Sequence, residues 1–164
     1  MIEDYIKAWH MGENQYRKDI AFGHYPYLTA LDDIVKPEDI LAENRLGMME
    51  IPIDDIAGTK THGRQESFAS NFMPLLPPKS EFSLKWSALY DSALEEGIRD
   101  AILVYEYMGR FYVQEGNKRV SVSKFNGAIS ILANVVRLLP QHSDDKTNRV
   151  YFEFVDFFKV SGIY

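Results

Sequence analysis

Apolar residues recur every three to four positions near the start of the chain. Tyr5, Ile6, Trp9, Tyr16, Ile20 and Ala21 are separated by polar side chains. That period predicts a helix over 2–21, interrupted or kinked at Gly12 and ended at Gly23. Asp32, Asp33 and Pro37 mark turns. The stretch 37–41 reads as a short helix with proline in its first turn, where the missing N–H costs nothing. An apolar run predicts a strand over 48–53. Residues 54–66 are polar and punctuated by glycine, a loop long enough to suggest function or mobility. Residues 67–76 read as a short helix broken by Pro77-Pro78, and 83–96 as a longer amphipathic helix with Gly97 at its C-terminal cap.

The pattern is clearest after residue 100. Residues 101–106 and 111–114 are apolar runs flanking the turn Tyr107-Met108-Gly109-Arg110, which predicts a β-hairpin. Gly116-Asn117 leads into a short helix over 118–125, closed by Asn126-Gly127. Residues 129–139 form another strand, rich in Ile, Leu and Val and ended by Pro140. In the tail, Arg149, Glu153, Asp156 and Lys159 make a polar stripe at helical spacing among aromatic residues. The predicted class is α+β, a small mixed sheet with flanking helices. The expected division is an N-terminal helical extension (1–46), a central domain (47–140) and a C-terminal aromatic helix packed on it (141–164).

Composition narrows the function classes. A chain of 164 residues with 46% hydrophobic and 13% aromatic residues folds without staples. The absence of cysteine removes disulfides, thiolate metal sites and a cysteine nucleophile. No apolar run approaches a membrane span, and the first residues lack the features of a signal peptide. The expectation is a cytoplasmic protein that does not engage membranes. A net charge of −6 disfavours a nucleic-acid partner, because phosphate neutralisation needs a basic face. His10, His24 and His142 are scattered, so no metal site is expected. The chain's abrupt end at Ser161-Gly162-Ile163-Tyr164 reads as a domain cut from a longer protein. The aromatic tail is a candidate surface for a dimer or a further domain.

The candidate chemistry lies at Gly116-Asn117-Lys118-Arg119. A strand that hands over to a helix through glycine presents open amides and a partial positive charge to an anion. Gly116 permits the turn and the close approach of a ligand. Asn117 suits the N-cap. Arg119 offers a bidentate fork, Lys118 a point charge, and Ser121 a hydroxyl. The alternative is an ordinary helix start with two solvated cations.

The order of elements, with Glu115-Gly116-Asn117-Lys118-Arg119-Val120 as its most specific segment, resembles the ParB/sulfiredoxin superfamily over roughly residues 48–140. The flanks look like elaborations of a bacterial subgroup. The resemblance implies a nucleotide or other phosphate-bearing ligand at Gly116 and Arg119, taken as a nucleoside triphosphate with Mg2+. It also implies NTP hydrolysis or phosphotransfer as candidate activities. Sulfiredoxin chemistry needs a cysteine after the glycine, where this chain has Asn117. The resemblance assigns Arg64, in the segment after the first strand, to the nucleotide. The same loop carries Lys60, Thr61, His62, Glu66 and Ser67. Lys60 and Thr61 are candidate phosphate ligands, and Glu66 is the candidate catalytic base or Mg2+ ligand. A solvated, mobile loop is the alternative there. Two further readings stay open: a non-catalytic regulatory module of a longer protein, and a ParB-like DNA-binding or nuclease-like domain.

Overall fold

The computed structural model describes residues 2–63, 65–143 and 145–161. Four helices, α1 (Ile2–Ala21), α2 (Glu81–Glu96), α3 (Asn117–Phe125) and α4 (Lys146–Ser161), accompany six strands. The strands are β1 (Thr29–Ala30), β2 (Ile40–Pro52), β3 (Ile56–Thr59), β4 (Ile102–Tyr107), β5 (Arg110–Glu115) and β6 (Ser130–Pro140). They form one mixed sheet in the order β1-β3-β5-β4-β6-β2. The β4–β5 hairpin and the β2–β6 pair are antiparallel; β1–β3, β3–β5 and β4–β6 are parallel. The α+β expectation holds.

The alternation in β4 sets the two faces of the sheet. Ile102 and Val104 join Val113, Ala133, Val135 and Val120 in the main core, under the helices. Tyr105 and Tyr107 point the other way, to a smaller cluster with Leu31, Val35, Tyr112 and Leu138. A second layer of packing joins the helices to one another. Trp86 of α2 is fully buried, stands edge-on to Tyr5 of α1, and donates its indole N–H to Ser121 of α3 at 2.9 Å. α4 covers the far end of the same face. There Tyr151 donates its hydroxyl to Glu106, which is paired with Arg137 at 2.9 Å, all three groups being buried.

Four sequence expectations need correction. The first strand is not 48–53. It begins at Ile40, and only Pro37–Asp39 is helical, as a single 3-10 turn. β2 lies at the sheet edge, so its polar residues Glu43, Asn44 and Arg45 tolerate solvent and hide the strand from an apolar count. The polar loop over 54–66 contains β3, four residues slotted between β1 and β5. Residues 67–76 form no α-helix. Pro74 and the Asn71 side chain, which accepts from the Met73 amide, turn the chain back on itself, and across the turn the Ala69 amide donates to the Met73 carbonyl and the Leu75 amide to the Ser67 carbonyl. Gly12 does not break α1: a Cβ there would collide with the Pro74 carbonyl oxygen, so its role is close packing.

Candidate functional site

The β5–α3 junction forms as the sequence suggests, with one change. Gly116, not Asn117, is the N-cap, at φ +117° and ψ +24°. No side chain caps the helix there. A Cβ at Gly116 would lie 2.5 Å from Cγ2 and 2.9 Å from Cβ of Ile102, so both the conformation and the space require glycine. The first helical hydrogen bond runs from the Val120 amide to the Gly116 carbonyl. The preceding turn is therefore the open, positively polarised end of α3.

This end faces a cleft of about 570 Å³. Its lining combines Gly116, Asn117, Lys118 and Arg119 with the apolar Phe68, Phe82 and Leu89, and with Asp100, Gln114 and Glu115. Asn117 donates its amide N–H to Thr59 Oγ1 at 3.3 Å, and Thr59 donates to the Val113 carbonyl at 3.0 Å. That chain of bonds fixes the asparagine and leaves its Oδ1 buried without a partner. A buried orphan acceptor is costly, and a donor on a ligand would relieve it. Arg119 clamps the loop before β4, its Nη1 donating to the carbonyls of Asp100 and Ala101 at 3.1 and 2.9 Å. Among the described residues only its Nη1 is engaged, and a guanidinium carries five donors, so Nε and Nη2 can serve a ligand. Lys118 places its amine 4.8 Å from the Phe82 ring centroid, across the apolar wall. Further along α3, Lys124 lies 5.1 Å from the Phe72 ring, and burial lowers its pKa.

Other sequence candidates do not converge here. Ser121 is fully buried and accepts from Trp86, because its position on α3 turns it into the helix layer. Lys60 follows Thr59 in an extended chain and so points to the opposite face. There it pairs with Asp32 at 2.6 Å and lies 5.2 Å from the Tyr105 ring. Thr61 is exposed, and His62 pairs with Asp33. Glu66 lines a different hollow, beside α1, and is absent from the lining of this cleft. Arg64 lies outside the described residues. The sequence reading missed Thr59, whose role depends on recognising β3, and the aromatic wall, which comes from segments far away in the chain. Mg2+ held with a triphosphate takes one or two protein carboxylates, with phosphate and water completing the shell. Asp100 and Glu115 are the carboxylates in the lining of this cleft.

A mixed sheet with a helix opening on a glycine turn after its hairpin allows comparison with solved structures. The chain is similar to sulfiredoxin and to ParB. Sulfiredoxin from Arabidopsis thaliana matches with 19% identity and a TM-score of 0.39, over 64% of this chain and 96% of that one. C-terminally truncated ParB from Caulobacter crescentus, complexed with CTP-gamma-S, matches with 17% identity and a TM-score of 0.34, over 67% of this chain. The match spans about half of that ParB chain, 53%. No protein-family model and no curated protein matches the sequence. Among the described residues, no helix is long and apolar enough to cross a membrane.

Proposed function

We propose that the cleft at the N-terminus of α3 binds a nucleotide through its phosphates. One observation carries the reading: Gly116 turns the chain so that the open end of α3, the fork of Arg119 and the fixed Asn117 line a single cleft together with apolar side chains. The helix end and Arg119 supply charge-assisted donors for phosphate. Phe82 and Leu89, both partly exposed, supply an apolar surface for a planar base, with Phe68 buried behind Phe82. Asp100 and Glu115 would hold Mg2+ against the phosphates when it is bound, and the ion would neutralise their charge.

The placement of Glu66 outside this cleft favours a binding role over phosphotransfer, since a base must reach the atom it deprotonates. Calorimetric titration with CTP, ATP and GTP, each with Mg2+, tests the proposal, with tripolyphosphate as a base-free control. Binding of at least one nucleotide that weakens with Arg119→Ala is expected. A folded protein that binds none of them at millimolar concentration overturns the reading. Turnover abolished by Glu66→Gln would restore the phosphotransfer alternative.

A further inference from the structure

The hollow that contains Glu66 has a volume of about 400 Å³ and lies beside α1. Glu13 and Tyr16 of α1, Tyr27, Glu66, Leu75 and Leu76 form its walls. The walls are fixed separately. The Leu76 carbonyl accepts the Tyr5 hydroxyl at 2.6 Å, and the Leu75 carbonyl accepts the Trp9 indole N–H at 3.3 Å. The close contact of Gly12 with Pro74 sets the approach of α1 to this segment. Tyr16 and Tyr27 make an aromatic corner, with ring centroids 5.7 Å apart and planes at 53°. Tyr25 stands edge-on to Tyr27 at 5.8 Å.

Two carboxylates reach this space from different elements. Among the described residues, Glu13 has one ionic neighbour, the His10 ring at 3.8 Å, and Glu66 forms no salt bridge. Arg17, an exposed residue, lines the hollow as well, and among the described residues it bridges neither of them. With two carboxylates against one guanidinium, the charged side chains of the lining are acidic on balance. The Tyr27 phenol titrates above its ordinary range, through its hydrogen bond with Tyr16, through burial, and through the charges nearby, Glu66 among them. The leucines keep water from one side, which strengthens attraction for a counter-charge.

A bare divalent ion fits poorly, because it asks for six or more oxygens. Among the described residues, no group of three His, Cys, Asp or Glu side chains is placed to hold a metal. Carboxylates combined with electron-rich rings suit a positive charge spread over alkyl groups. The volume lies in the range of small-molecule sites. We infer that this hollow binds a small alkylammonium ion, with Glu13 and Glu66 as counter-charges and Tyr16 and Tyr27 as its aromatic walls. This second site is independent of the phosphate cleft.

The test uses the full chain, choline as the probe and 3,3-dimethylbutan-1-ol as an uncharged molecule of the same shape. Backbone amide shifts are followed by NMR during titration. Choline should produce saturable shifts centred on residues 13–17, 27 and 66, with the alcohol at least about tenfold weaker. Glu66→Gln should weaken choline by about five- to tenfold, while leaving thermal unfolding unchanged because Glu66 is exposed. Tyr27→Phe keeps the ring and should bind within about twofold of the parent; Tyr27→Leu should not. Equal binding of the alcohol, shifts that map elsewhere, or no saturable shift up to about 100 mM choline overturns the inference.

Discussion

Gly116→Ala is the sharpest probe of the β5–α3 turn, with Gly97→Ala as its control. Both glycines have positive φ, +117° and +75°, so both substitutions force alanine into a backbone region that costs about 1–3 kcal/mol. The space around them differs. A Cβ at Gly97 meets nothing within 4 Å, whereas one at Gly116 lies 2.5 Å from Ile102 Cγ2. Ile102 is fully buried at the start of β4 and cannot swing aside, so overpacking adds about 1–3 kcal/mol at Gly116 alone. The expected loss is therefore about 1–3 kcal/mol for Gly97→Ala and about 2–6 kcal/mol for Gly116→Ala. Urea unfolding of both variants measures the difference, provided the m-values agree with the parent. Titration with a nucleotide then reports whether the displaced turn still binds. Equal stability losses for the two variants would refute the claim that the close approach of Ile102 shapes the turn. Undiminished nucleotide affinity in Gly116→Ala would refute the claim that this turn forms the site.

Arg119→Ala should weaken nucleotide binding by about 1.5–3 kcal/mol, and Arg119→Lys should restore little of it, because an ammonium cannot bridge two carbonyls and a phosphate together; calorimetry measures both. Glu106→Gln should cost about 3–5 kcal/mol by removing the carboxylate that faces the buried Arg137 charge, whereas Glu106→Leu with Arg137→Met should recover most of that loss. Equal losses for the single and double variants in urea unfolding would argue against the ion pair. Burial raises the Tyr5 pKa above the ordinary phenol value of 10.0, so the native state retains a proton that the unfolded chain releases first. Its contribution to stability is complete below pH 10.0 and declines as pH rises beyond it, and Tyr5→Phe should flatten that part of a stability–pH profile.

The hairpin and the Gly116 turn are local features, and they were legible for that reason. Ile102, Val104 and Glu106 alternate with Leu103, Tyr105 and Tyr107 as strand residues should, and a strand followed by glycine and a short helix has few other readings. The helix over 83–96 was found but its start was not. Ser80 caps it by accepting from the Ser83 amide at 3.1 Å, which moves the first helical residue to Glu81. The strands β1 and β3 are two and four residues long and become strands only by pairing with distant partners. Nothing within Ile56-Ala57-Gly58-Thr59 announces that. Without β3, the loop residues cannot be assigned to faces, so the sequence puts Lys60 with the phosphate site and hides Thr59, which does reach Asn117. Ser121 was misplaced for a similar reason: the sequence shows its spacing from Gly116 but not which side of α3 meets Trp86.

The buried pair Glu106–Arg137 bears on how the strands are aligned. A hairpin receives its alignment from its turn, but β4 and β6 run parallel and are joined through β5 and α3, which leaves their offset free of any such gauge. Glu106 stands opposite Arg137 in that pairing. A slip of one residue would carry one charge to the opposite face and leave the other alone in the core. The ion pair is thus expected to act as a key that admits one offset between these two strands, and the hydroxyl of Tyr151 reads the same key from α4.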